Sequence, residues 1–295
     1  MYKGISLSLT ASILFAVQYY LASLLPTMDG YELFGWRSLI AFPLMTVFML
    51  FNGEWRAVSE IAQRIVAKPW LLLGIIISSG LMALQQWLFI WASLNGRGIN
   101  VSLGYFLLPL LMVLVGRVLY KERLSALKIT AALVAAVGVI HQVYEVGGFS
   151  WEALTVAIGF ICYFLLRRWM QTATLGGFWF DMLITMPFAL WCVWGGAVFG
   201  HSPEMSDSVY WVIAIFGVNS AAAFMSYISA SKLLPFTVFG LLGYVEPVLL
   251  LLIALVLGET IHANERLTYL AIWGAVMLLV LEGVVRVIRS RRYHT

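Results

Sequence analysis

Ionisable residues inside otherwise apolar stretches are the feature of this sequence that could do chemistry. Glu246 lies within an apolar run and directly precedes Pro247, while Arg37 and Asp181 lie within two other runs. A charged side chain in an apolar medium is costly unless it faces a partner or a water-filled cavity. These three residues are therefore our candidates for coupling an ion to another process. The alternative is structural: Glu246 would anchor a proline kink, and the other two would be held near an interface by polar partners.

Uncharged polar and aromatic side chains in the apolar runs are the candidates for contacting a solute. In a membrane, polar side chains also hydrogen-bond neighbouring helices, and aromatic ones also form belts at the two interfaces, so both interpretations stay open. The polar candidates are Gln18, Gln85, Gln86, Asn219 and Tyr227. The aromatic candidates are Trp36, Trp87, Trp91, Tyr105 and Tyr244. Two prolines in the same apolar runs, Pro109 and Pro247, are candidates as well.

The composition requires a membrane around these residues. Apolar residues make up 62% of the chain and charged residues 11%, against about 45–50% and about 25% in average soluble domains. A soluble fold of 295 residues could not hide that much apolar surface, whereas a bilayer can. Cys162 and Cys192 lie inside apolar segments and the four histidines are scattered, so we predict no disulfide, no metal site and no cofactor.

Ten stretches of the sequence are candidates for helices that cross a bilayer, which takes about 20 residues each. They are 5–25, 33–51, 70–94, 101–119, 127–144, 151–168, 178–199, 209–230, 236–257 and 267–287. The first apolar run is too long for a signal peptide, so we expect an uncleaved helix. In the connection 52–69, apolar residues recur at helical spacing between basic ones, which favours a short interfacial helix over a plain loop.

The distribution of lysine and arginine gives the orientation. With ten helices and a cytoplasmic N-terminus, fourteen Lys and Arg residues, among them Arg167 and Arg168, fall on the cytoplasmic side and only Arg97 and Arg266 on the other. Such an asymmetry is typical of multi-pass proteins of the plasma membrane. We therefore expect both termini in the cytoplasm. Glu122 and Glu259 each precede an apolar segment, where a carboxylate favours the positive end of the following helix.

The two halves of the sequence resemble each other. Leu103-Gly104-Tyr105, followed by Pro109, matches Leu242-Gly243-Tyr244, followed by Glu246-Pro247, and Arg37 with Pro43 matches Asp181 with Pro187. A unit of five helices is odd in number, so its second copy must cross the membrane the other way up, as in many transporters. We predict repeats at 1–145 and 146–295. Paired interruptions of helices four and nine, at the Gly and Pro positions, would mark the central site.

These motifs carry a resemblance to a known family. The run Gln86-Trp87 to Trp91, then Ser102 to Phe106 with Pro109, then Glu122-Arg123, resembles the EamA group of the drug/metabolite transporter superfamily, and within it the RarD-like permeases. The resemblance covers the whole chain. It implies an all-α integral membrane protein of ten helices in two inverted EamA repeats. It also implies a cavity lined by helices one, three, four, six, eight and nine. The first repeat departs from the Glu-Pro pattern, with Leu108 before Pro109.

The resulting functional prediction is secondary transport of a small metabolite or drug across the plasma membrane, as proton-coupled efflux. The sequence contains no G-x-x-x-x-G-K-[ST] phosphate-binding loop, so the energy would come from a gradient. Uptake, facilitated diffusion and, in another class, an intramembrane lipid-modifying enzyme stay open as alternatives. The expected partners are a small-molecule substrate and the lipid bilayer, without nucleic acid, and a homodimer is compatible with the sequence.

Overall fold

The computed structural model of the chain describes residues 2–25, 28, 30–94, 98–148, 150–198, 207–256 and 266–292. Within these ranges every regular element is an α-helix. The helices are α1 (Tyr2–Ser23), α2 (Gly30–Phe51), α3 (Trp55–Ala67), α4 (Trp70–Leu94), α5 (Gly98–Val118), α6 (Ala126–Val146), α7 (Trp151–Trp169), α8 (Leu175–Val198), α9 (Asp207–Leu233), α10 (Phe236–Leu242), α11 (Val245–Val256) and α12 (Arg266–Arg292).

Six of these helices are long and apolar enough to cross a membrane, namely α1, α2, α4, α6, α8 and α9. The mean hydropathy of their apolar windows lies between 1.4 and 1.7. Shorter apolar stretches occur in α5, in α10 with α11, and in α12. Large apolar side chains such as Leu73, Ile140 and Trp211 are exposed on the outer surface, where lipid would surround them. The protein is therefore an all-helical membrane protein, as the composition predicts.

Each of the ten predicted segments contains a helix close to the predicted position. The ninth segment, 236–257, is divided between α10 and α11. The connection after α2 forms the predicted short helix, α3, so the plain-loop alternative is wrong. Val58 and Ile61 on α3 are buried, because this face of the helix packs against α8 and α4.

The packing brings early helices against late ones. Extensive contacts join α1 with α9, α6 with α12, α2 with α8, α5 with α7, and α5 with α10. Further contacts join α2 to α9, α4 to α7 and α8, and α1 to α11. Helices that are distant in sequence therefore form one interior, and a site inside it takes side chains from both halves of the chain.

The predicted interruption of helix nine is confirmed, because α10 ends at Leu242 and α11 begins at Val245. Pro247 lies in the first turn of α11, where a missing N–H leaves no intrahelical bond unmade. The predicted interruption of helix four is wrong, since α5 continues through Gly104 and Pro109. Neighbouring helices can hold a membrane helix together across a proline. Here Gly104 packs so tightly on α7 that a Cβ would lie 2.7 Å from the carbonyl oxygen of Ala153.

Candidate functional site

The two proline motifs meet where α5 passes the break between α10 and α11. A Cβ at Gly243 would lie 3.7 Å from Cγ of Pro109. Tyr244, within the break, is fully buried, and its hydroxyl donates a hydrogen bond to the carbonyl oxygen of Phe106 at 3.0 Å. Leu108 and Pro109 are buried as well. The structure therefore places Tyr244 and Pro109 inside the contact between helices, and this contact fixes the position of the neighbouring residues.

Four residues with ionisable side chains come together beside this crossing, and we call them the central cluster: Arg37 of α2, Tyr105 of α5, Tyr227 of α9 and Glu246 of α11. Tyr105 lies near both Glu246 and Arg37. Tyr227 lies near Glu246 and Tyr105 as well. Tyr105, Tyr227 and Glu246 are only half-buried, although helices from both halves surround them. Polar groups that keep some accessible surface between packed helices are candidates for contacting a solute.

Arg37 is the most buried member of the central cluster, with 5% of its surface exposed. Its Nη2 donates a hydrogen bond to Oε1 of Gln86 on α4. Its guanidinium carbon lies 5.4 Å from the ring centroid of Phe34 and 5.6 Å from that of Phe224. Two predicted site residues, Arg37 and Gln86, are thus in direct contact.

Aromatic rings connect Tyr105 with Tyr227. Ring centroids are 5.9 Å apart from Tyr105 to Phe160, 6.4 Å from Phe160 to Phe164, and 5.9 Å from Phe164 to Tyr227. These spacings are typical of favourable aromatic pairs. The sequence gives no sign of Phe160 and Phe164, because phenylalanines are frequent throughout such helices. The row gives one wall of the interior an apolar, aromatic surface.

The predicted tryptophans are close to this region. Trp87 stacks on Trp91 with their ring centroids 5.7 Å apart, and both are half-buried. They pack, together with Tyr105 and Phe160, against buried residues of α4, α5 and α7. Trp36 packs instead against apolar residues of α1, α2 and α9.

The predicted polar residues on α1, α4 and α9 mainly join helices. Gln85 is almost fully buried, and its Nε2 donates to the carbonyl oxygen of Thr155 on α7 at 2.9 Å. Asn219 of α9 donates in the same way to the carbonyl oxygen of Leu14 on α1, also at 2.9 Å. Oε1 of Gln18 is buried and has no hydrogen-bond partner among the residues that the structure describes. Oε1 of Gln85 is likewise buried and without a partner among these residues, so both glutamines keep a free acceptor, while Gln85 and Asn219 also hold neighbouring helices together.

Asp181 belongs to a separate, fully buried network. It forms an ion pair with Arg167, and each side chain is only 2% exposed. Ser78, Ser79 and Tyr163 each donate a hydrogen bond to its carboxylate at 2.9–3.0 Å. The sequence predicts only that Arg167 lies on the cytoplasmic side, and its position in the last turn of α7 gives no sign of this inward contact. The network links α4, α7 and α8, and it satisfies Asp181 without any solute.

Glu122 stabilises a helix other than the one we expected from the sequence. Its carboxylate oxygens accept hydrogen bonds from the backbone N–H groups of Phe236 at 2.7 Å and Thr237 at 2.9 Å, in the first turn of α10. The following helix, α6, is capped by Ser125. α10 has no side-chain cap from its own N-terminal residue, so a carboxylate 114 residues away supplies it. The expected counterpart, Glu259, lies outside the described residues.

Replacing Glu122 with alanine should lower the free energy of unfolding by about 1–2 kcal/mol, the usual cost of losing a helix cap. Thermal unfolding of the purified protein in detergent would measure it. The matched control is Glu54→Ala, because Glu54 stands at the N-terminus of α3 and makes no side-chain cap bond. Equal unfolding temperatures for the two variants would contradict the capping role.

A surface depression of about 310 Å³ lies at the same end of α10 as Glu122. Its lining residues come from the ends of α7 and α9 and from the α7–α8 connection, and they are Arg168, Gln171, Ala173, Thr174, Ser231 and Lys232. None of them belongs to the central cluster. The depression is open to the surface and lies apart from the central cluster, so we base the candidate site on the cluster instead.

The sequence of the chain is similar to those of known membrane proteins. Residues 2–143 match the model of the EamA-like transporter family. The chain is 40% identical over 281 residues to the chloramphenicol-sensitive protein RarD of Pseudomonas aeruginosa, covering 94% of this chain and 93% of that one. It is 36% identical over 293 residues to an uncharacterized transporter of Pasteurella multocida, covering 99% and 100%.

A solved structure shares the fold. It is a crystal structure of a protein that is 18% identical in sequence, and the match covers 94% of this chain and 97% of that one with a TM-score of 0.64. At this identity the likeness concerns the fold alone.

Proposed function

The chain belongs to the EamA-like transporter family, and from this premise we propose that it is a secondary transporter that moves a small organic molecule across the plasma membrane. The observation that carries the proposal is the central cluster: a half-buried carboxylate and two half-buried tyrosines beside a buried arginine, enclosed by helices of both halves. Ionisable groups inside a membrane protein are typical of solute and proton pathways. The names of its relatives support a transporter rather than an enzyme.

The architecture that fits this function has ten membrane crossings in two inverted repeats, residues 1–145 and 146–295. In it, α1, α2, α4, α5 and α6 correspond to α7, α8, α9, α10–α11 and α12. Exchanging the halves turns each packed pair into another packed pair: α1 with α9 becomes α7 with α4, and α2 with α9 becomes α8 with α4. The pairs α2–α8, α6–α12 and α5–α10 are unchanged by the exchange. A packing with this symmetry supports a repeat whose halves can exchange conformations.

The topology can be tested with reporter fusions. We expect fusions at Lys121, Arg168 and Arg292 to report a cytoplasmic location, because basic residues concentrate on that side. A fusion at Glu145 should report the opposite side. A periplasmic Arg292 would mean an odd number of crossings and would contradict the inverted repeat.

Coupling to protons would use Glu246. It stands in the first turn of α11, beside the break in the helix, and it has no ion pair within the described part of the chain. A carboxylate in this position is neutral when protonated and charged when not, so proton binding changes the cost of moving it through an apolar interior. Release to the side of higher pH would drive the solute in the opposite direction, which is efflux in a cell. Asp181, already paired with Arg167, stabilises the fold instead.

Reconstitution into liposomes tests the function. The purified protein would be assayed for flux of a solute panel that includes chloramphenicol and small organic acids and amines, with and without an imposed pH gradient. We expect at least one solute to cross faster than in protein-free liposomes and to accumulate only with the gradient. Facilitated diffusion would give the flux without the accumulation. No flux for any solute would contradict the proposal.

A further inference from the structure

We infer that Arg37 is an anion-binding subsite of the central cavity, and that the transported molecule is a small organic acid whose carboxylate binds there. The inference rests on the proposed function, because it names the class of molecule that the site would carry. Arg37 is 5% exposed, and the hydrogen bond to Gln86 is the only one that its guanidinium forms within the described residues. In that part of the chain it forms no ion pair.

Arg167, which is also buried in the described part of the chain, shows what Arg37 lacks. Arg167 is equally buried, but its charge is neutralised by Asp181, and further hydrogen bonds join it to Thr172 and Gly177. Arg37 occupies, in the first half, the position that Asp181 occupies in the second half, and no carboxylate faces it at ion-pair distance in the described structure. A buried charge without a partner is costly. A carboxylate on a bound solute would supply that partner.

The geometry around Arg37 fits a carboxylate attached to a flat or apolar body. A guanidinium has five N–H donors in a planar fork that can bind both oxygens of a carboxylate at once. Gln86 takes one edge of the guanidinium, and the rings of Phe34 and Phe224 lie near it. Tyr105 lies near Arg37 and is in ring contact with Phe160, so the aromatic wall begins beside the charge. An aromatic acid would place its carboxylate at Arg37 and its ring along this wall.

The competing interpretation is that Arg37 and Gln86 only clamp α2 to α4. A clamp would be indifferent to the charge of a solute. An anion subsite instead makes affinity depend on that charge, and in wild-type protein this can be measured without any substitution. The probes are pairs of equal shape that differ in charge: benzoate with benzamide, and phenylacetate with phenylacetamide.

The decisive experiment measures binding of these four probes to the purified full chain in detergent, from quenching of tryptophan fluorescence and from thermal stabilisation. We expect each acid to bind at least about tenfold more tightly than its amide, because a charge-assisted hydrogen bond is lost in the amide. Arg37→Gln should remove the preference, and Arg37→Lys should keep part of it. The matched control is Arg117→Gln, an exposed arginine at the end of α5, which should leave the preference unchanged.

The outcomes separate this inference from the proposed function. If wild type binds acid and amide equally, or if Arg37→Gln keeps the preference, the subsite is overturned. Should Arg37→Gln fail to fold, the wild-type preference and its reduction in Arg37→Lys decide the question. Acid binding without any flux in liposomes would overturn transport but leave the subsite standing.

Discussion

Glu246→Gln should abolish accumulation of solute driven by a pH gradient and leave counterflow exchange within about twofold of wild type. Glutamine has nearly the shape of protonated glutamate, but it cannot bind and release a proton. Exchange of one solute molecule for another needs no net proton movement, so it survives the substitution. Both quantities can be measured in the same proteoliposomes, one with an imposed pH gradient and one with preloaded unlabelled solute.

The control for this substitution is Glu60→Gln, because Glu60 is an exposed residue of α3 that pairs with the exposed Arg56. It should leave both assays unchanged. Equal loss of accumulation and counterflow in Glu246→Gln would assign Glu246 to solute binding or folding. Unchanged accumulation would remove it from coupling altogether.

Asp181→Ala should lower the free energy of unfolding by about 3–5 kcal/mol, which is the cost of leaving one partner of a buried ion pair alone. The substitution strands the buried charge of Arg167, and it also leaves the hydroxyls of Ser78, Ser79 and Tyr163 without their common acceptor. Chemical unfolding in detergent, followed by tryptophan fluorescence, would measure the loss.

An exposed ion pair in the same chain provides the comparison. Arg56 and Glu60 on α3 pair at 2.9 Å with most of both side chains exposed, so Arg56→Ala should change stability by less than about 1 kcal/mol. Replacing the buried pair together, as Arg167→Met with Asp181→Leu, should recover much of the loss, because no charge is then left unpaired. A loss below about 1 kcal/mol in Asp181→Ala would mean that the ion pair contributes little to the fold.

The helices could be predicted from the sequence because long apolar runs have few alternatives in a bilayer. The family could be predicted as well, and the comparisons confirm the EamA and RarD resemblance carried by residues such as Gln86, Trp87 and Tyr105. The break in helix nine followed from Gly243 and Pro247. The continuity of α5 did not follow, because it depends on the close contact of Gly104 with α7, which no local pattern contains.

Partners that are distant in sequence could not be predicted. The carboxylate of Glu122 caps α10, although its position predicted a role at α6, because the approach of the two segments is set by tertiary packing. By sequence, Arg167 is one of many basic residues expected on the cytoplasmic side, and only the fold makes it the partner of Asp181. For the candidate site, the residue types alone predicted the individual members, which are Arg37, Gln86, Tyr105, Tyr227 and Glu246. That these residues lie close together could be seen only from the fold.

Accessibility of the central cluster from both sides of the membrane tests the transporter account most directly. Single cysteines at Tyr105 and Tyr227 would be placed in a background lacking Cys162 and Cys192, with controls at Leu114 and Leu252, which are exposed on the outer surface of α5 and α11. Thiol reagents that cannot cross a membrane reach a cysteine only through a water-filled path. We therefore expect both cluster positions to react from either side of the membrane, and far faster than the controls. Cluster cysteines as inert as the controls from both sides would contradict a central site with alternating access.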